Sequence, residues 1–152
     1  MAHDFDFDGN TRELRVRATL PNPADLPAEK NYRYVRSTDS ITSSPLSQKA
    51  RKDRYAKAVA EVAVRTVHEV FESDRDLLVQ TISLTVDAEG VDPATGHVVT
   101  PVLVELAVDR ASFEPLDLAK VDANATLQYL RASISKHPHE LVPIENPRGV
   151  RG

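Results

Sequence analysis

The sequence predicts an α+β fold: antiparallel β-hairpins forming one sheet, a long helix packed across it, and a short C-terminal helix. Three observations carry this. Residues 12–20, 81–86 and 98–108 alternate apolar and polar side chains with the two-residue period of half-buried strands. From Tyr55 to about Ser73 the apolar and charged residues separate at the 3.6-residue period of a helix. Turn-forming residues stand between alternating stretches, at Asp8-Gly9-Asn10 and at Asp92-Pro93-Ala94-Thr95-Gly96.

Taken in order, residues 4–20 read as a hairpin. Phe5 and Phe7 lie before its turn; after it, Leu14, Val16, Ala18 and Leu20 share one face, and Arg15, Arg17 and Thr19 the other. Pro21, Pro23 and Pro27 end the strand. Tyr32-Arg33-Tyr34-Val35-Arg36 reads as a further short strand, and residues 37–44 as a Ser/Thr-rich loop. Ser44-Pro45 is a helix start, with Ser as N-cap and Pro at the first helical position.

Placed at about 100° steps, Val59, Ala60, Val62, Ala63, Val64, Val67, Val70 and Phe71 fall on one arc roughly 200° wide. Lys57, Glu61, Arg65, His68 and Glu69 fall opposite. So wide an arc predicts cover on two sides, with Val62 turned to the sheet. Residues 80–109 read as a second hairpin, with Val102, Val104, Leu106 and Val108 on one face. Asp122 is placed to cap a short helix reaching about Arg131. Residues 1–145 are expected to form one domain and residues 146–152 a flexible tail.

Composition excludes several function classes. The chain has 152 residues, 41% hydrophobic and 28% charged, ordinary values for one globular domain. It has no cysteine, which rules out disulfides, thiolate zinc sites and cysteine nucleophiles. A net charge of −4, 5% aromatics and no Trp argue against a generic nucleic-acid coat or a base-stacking platform. The apolar runs are too short to cross a bilayer, and no basic start leads into an apolar stretch, so a cytoplasmic protein is expected.

The patterns that imitate catalytic motifs are incomplete. Asp4-x-Asp6-x-Asp8-Gly9 resembles the start of a calcium loop, but the twelfth position, which needs a bidentate acid, is Arg15. His68-Glu69 has Glu72 where a zinc protease needs its second His. His137-Pro138-His139-Glu140 lacks nameable further ligands and reads as a polar turn. A metal-dependent nuclease core needs an acid on one strand and Glu-x-Lys on the next, whereas Glu105 is followed by Leu106-Ala107. Glu105, alone among apolar residues, either pairs with an Arg or marks an edge face. No Gly-x-Ser-x-Gly and no Gly-rich phosphate loop occur. No catalytic residue, metal ligand or cofactor is therefore assigned.

One cluster remains as a candidate contact surface for a partner or nucleic acid: Lys49, Arg51, Lys52, Arg54 and Lys57, offset within that span only by Asp53. It lies in the N-terminal half of the long helix, where the dipole disfavours cations. A local conflict of this kind can mark a binding surface, although a solvated helix face is the simpler reading.

With these segments placed, the chain resembles a region of bacterial multidomain proteins described as restriction endonucleases of the Mrr type. The resemblance runs from about residue 5 to 145. It rests on the strand at 12–20, Tyr32-Arg33-Tyr34-Val35, the helical Arg65-Thr66-Val67-His68-Glu69-Val70-Phe71, Asp92-Pro93-Ala94-Thr95-Gly96, Leu116-Asp117-Leu118 and Ser133-x-Ser135-x-x-Pro138. In those proteins such a region precedes the nuclease domain, which this sequence does not contain, so no catalytic residue carries over. The resemblance implies a non-catalytic interaction or assembly module of a defence protein. Its partners would be other domains or proteins of that system, with oligomerisation left open. A DNA-contacting accessory domain and a degenerate, inactive nuclease-like domain are the alternatives.

Overall fold

The structure, a computed structural model, describes residues 2–23 and 45–144, with side chains in the long helix from Lys49 onward. The strand expected at Tyr32–Arg36, the N-cap Ser44 and the tail lie outside the described residues. The α+β architecture is as expected. Strands β1 (Ala2–Asp8) and β2 (Glu13–Leu20) form the first hairpin, and α1 (Pro45–Ser73) follows. Then come β3 (Thr81–Ala88), β4 (Gly90–Val91), β5 (Val98–Val99) and β6 (Val102–Asp109). The chain continues through a single turn α2 (Arg110–Phe113), α3 (Ala123–Tyr129), β7 (Ser133–Ile134) and a 3-10 turn, Pro138–Glu140.

The main sheet has the order β1-β2-β3-β6-β7. Its pairs are antiparallel except β2–β3, which run parallel from Glu13↔Thr81 to Leu20↔Ala88. A parallel pair needs a crossover, and the chain between β2 and β3 contains α1. The two hairpins thus meet as a mixed sheet, a relation that alternation within each strand cannot encode.

Val16, Ala18 and Leu20, Ile82, Leu84, Val86 and Ala88, and Val104, Leu106 and Val108 form the apolar face of the sheet. Against it pack Val59, Ala60, Ala63, Val64, Val67 and Phe71 of α1. The second cover required by the wide arc is α3, with its buried Leu127, and the 3-10 turn. Val62 is only half-buried, and Ala63 and Val67 occupy the centre of the arc instead.

Two expectations for the second hairpin are corrected. Residues 98–108 are not one strand: they break at Thr100-Pro101, where proline has no N–H to donate, and β5 turns aside to pair with β4. A bulge then places Leu103 as an extra residue, because Val86 pairs with Val104 but Asp87 with Val102. Val102 therefore leaves the apolar face. The Asp92–Gly96 turn forms as its chemistry demands. The Asp92 carboxylate accepts from Ala94 N–H at 2.8 Å, its carbonyl accepts from Gly96 N–H at 2.7 Å, and Gly96 takes φ +75°, which suits glycine. Asp122 caps α3, accepting from Ala125 N–H at 3.0 Å.

Candidate partner-binding surfaces

The basic cluster sits on the stretch of α1 before the helix begins to bury residues. Lys49, Ala50, Arg51, Lys52, Asp53 and Arg54 are all exposed, and six consecutive residues at 100° steps span the whole circumference. From Tyr55 the helix becomes one-sided. Tyr55 is buried, its hydroxyl donates to Pro21 O at 3.2 Å, and burial pushes its pKa up to about 12. The four cations at 49, 51, 52 and 54 therefore stand exposed on the helix ahead of Tyr55, with Lys57 also exposed. Lys52 reaches Glu140 of the 3-10 turn at 3.5 Å. That turn is also where His137-Pro138-His139-Glu140 lies. Pro138 is buried and the His139 ring meets the Tyr55 ring edge-on at 6.2 Å, so the motif docks the C-terminal segment against α1.

The sheet face away from α1 is polar and carries no helix among the described residues. Across it, in register, stand Asp4, Asp6 and Asp8 of β1, Glu13, Arg15 and Arg17 of β2, Thr81, Ser83, Thr85 and Asp87 of β3, and Glu105 and Asp109 of β6. Ser83 donates to the buried Glu13 carboxylate, and Thr81 donates to Asp109 at 2.8 Å. Arg17 pairs with the buried Asp87 at 2.5 Å. A shallow depression of about 270 Å³ opens here among Asp4, Asp6, Arg15, Arg17, Ser83 and Thr85. Glu105 lies on this face opposite Thr85 and Ser133, on a strand flanked on both sides, so its charge marks the polar face of the sheet and not an edge. The carboxylates of Asp4, Asp6 and Asp8 recur at strand spacing, about 7 Å apart, and do not converge on a cation. The Asp8 carboxylate instead accepts from the N–H of Asn10 at 2.9 Å and of Thr11, and these bonds hold its pKa below the usual value.

A cleft of about 350 Å³ lies between the C-terminal half of α1 and the segment after α2. His68, Glu72, Glu114 and Asp117 line it together with Phe71 and Phe113. His68 Nε2 lies 3.6 Å from Glu72. Beside the cleft, Arg110 forms a buried hub that sequence reading missed. It donates to Val79 O, Phe71 O, Glu114 and Asp74, and its guanidinium lies 4.7 Å over the Phe71 ring. The partners are 31 to 39 residues away except Glu114, so no local spacing announces them. Among the described residues no three His, Asp or Glu side chains are placed to hold a metal ion, and no helix is long and apolar enough to cross a membrane.

Comparison with known protein families, curated proteins and solved structures finds no match to this chain.

Proposed function

We propose that this domain is a non-catalytic interaction module of a bacterial nuclease-type defence protein, engaging an acidic partner surface through the first turns of α1. The observation that carries the reading is the exposure of residues 49–54 around the whole helix. A helix normally earns its stability by burying an apolar face. Residues 49–54 are exposed, bring four cations together with Asp53, with Lys52 also reaching Glu140, and run on into the packed part of the helix. The defence setting comes from the resemblance to the region preceding Mrr-type nuclease domains.

The test uses the chain with Lys49→Glu and Arg51→Glu, both exposed positions, so the fold and Tm should be unchanged. Wild type should co-purify with a separately expressed Mrr-type nuclease domain, and the double variant should not. Equal recovery by both forms overturns the reading. Binding to a labelled generic duplex that falls steeply as salt rises would instead favour the DNA-contacting alternative, because phosphate contacts release counterions.

A further inference from the structure

Among the described residues, strand β1 is an open sheet edge with an unusual division of chemistry. All seven residues are exposed, and its outer edge carries no strand among the described residues. On one side Phe5 and Phe7 are 59% and 44% exposed, although they stand in register with the buried Val16 and the half-buried Leu14. They extend the apolar face past the cover of α1. On the other side stand Asp4, Asp6 and Asp8. Arg17, in register with Asp4, is drawn to Asp87, and Asp4 and Asp6 have no ion pair among the described residues.

The inner neighbour shows what chemistry this strand matches. Asp4-Phe5-Asp6 lies against Arg17-Val16-Arg15, carboxylate facing cation and ring facing aliphatic. A second copy of β1 cannot supply this. Strands pair like face with like face, so two β1 edges would set aspartates opposite aspartates, a recognised device against edge-to-edge association.

We propose that the free edge of β1 receives an extended segment of a partner protein in which Arg or Lys alternates with apolar residues, added as a further strand of the sheet. Backbone hydrogen bonds would supply affinity, the aspartates the sign of the charge, and Phe5 and Phe7 the apolar contact.

The probe is a fluorescent peptide of alternating Arg and Val, blocked at both ends, added to the full chain and read by anisotropy. It should bind, and the β1 backbone amides should exchange with solvent more slowly in its presence. Two changes should each weaken binding by about tenfold or more: N-methylation of alternate peptide bonds, which removes the donors along one edge, and Asp4→Asn with Asp6→Asn in the protein. Lys49→Glu with Arg51→Glu should leave peptide binding unchanged, which separates this edge from the surface on α1. Absence of binding, or equal binding by the methylated and unmethylated peptides, overturns the proposal; the latter would mean charge attraction without strand addition.

Discussion

Two arginine–carboxylate pairs tie distant parts of this molecule together, and they are built differently. Arg110, 8% exposed, has every nitrogen matched: Nε to Val79 O at 3.0 Å, Nη1 to Phe71 O and Glu114 at 3.2 Å, Nη2 to Asp74 at 2.6 Å. Asp74 is matched in turn by the N–H groups of Leu78 at 3.1 Å and Val79 at 2.6 Å. In the other pair, Asp87 is 1% exposed but Arg17 is 49% exposed. They share one contact, and Asp87 Oδ1 has no hydrogen-bond partner among the described residues. The Arg110 network closes the end of α1, the following loop and the start of β3 with satisfied bonds. The Arg17 pair buries a carboxylate on a polar sheet face and satisfies half of it. A buried charge stabilises only when its remaining lone pairs and protons are also matched, so the two pairs should respond differently to the same change.

The largest effect is expected from Arg110→Ala. It strands the Asp74 carboxylate and two carbonyls, and should cost about 3–5 kcal/mol, lowering Tm by roughly 10 °C. A variant that melts like wild type would show that the network contributes nothing net.

Next comes the pH dependence of Asp74. Burial pushes its carboxyl up, but the N–H groups of Val79 and Leu78 and the Arg110 charge outweigh burial and hold it below its ordinary 3.8. A depressed folded value means that the stabilisation is complete above the unfolded value and is lost as pH falls through the folded one. Asp74→Asn should therefore lower Tm most at neutral pH, and the gap to wild type should close as acid protonates Asp74. A gap independent of pH would assign the loss to packing.

The smallest effect is expected where both partners of a pair are replaced by apolar residues. Arg17→Met with Asp87→Leu removes a buried charge that is only half satisfied, so stability should stay within about 1 kcal/mol of wild type or rise. Arg110→Met with Asp74→Leu should still lose several kcal/mol, because backbone donors and acceptors at residues 71, 78 and 79 lose their partners. Denaturant midpoints of the two double variants compare these directly, and equal losses would erase the distinction.

The elements were legible where one physical period dominates. The alternation of Leu14, Val16, Ala18 and Leu20, the α1 arc from Tyr55 apart from Val62, and the Asp92–Gly96 turn form as read, because each follows from local geometry and the need to bury one face. The basic cluster was legible as composition, but the exposure of residues 49–54 was not, since that depends on where the packing on the helix begins. Val102 misled because the bulge at Leu103 breaks a period that the residue types continue. Arg110 and Asp87 gave no signal, because a charged residue at a strand end reads as solvated until the fold brings it partners.

By itself, then, the sequence determined the α+β class, the helix with its two unlike faces, the two hairpins and the helix cap at Asp122, all products of neighbouring residues and their hydrophobic periodicity. Only the tertiary structure decided that the hairpins join in parallel, that α3 and the 3-10 turn cover the second side of α1, and that β1, unpaired on its outer edge among the described residues, carries aromatics on one side and carboxylates on the other. Those features depend on which surfaces meet after the chain crosses over itself, and contacts between residues dozens of positions apart leave no period in the sequence.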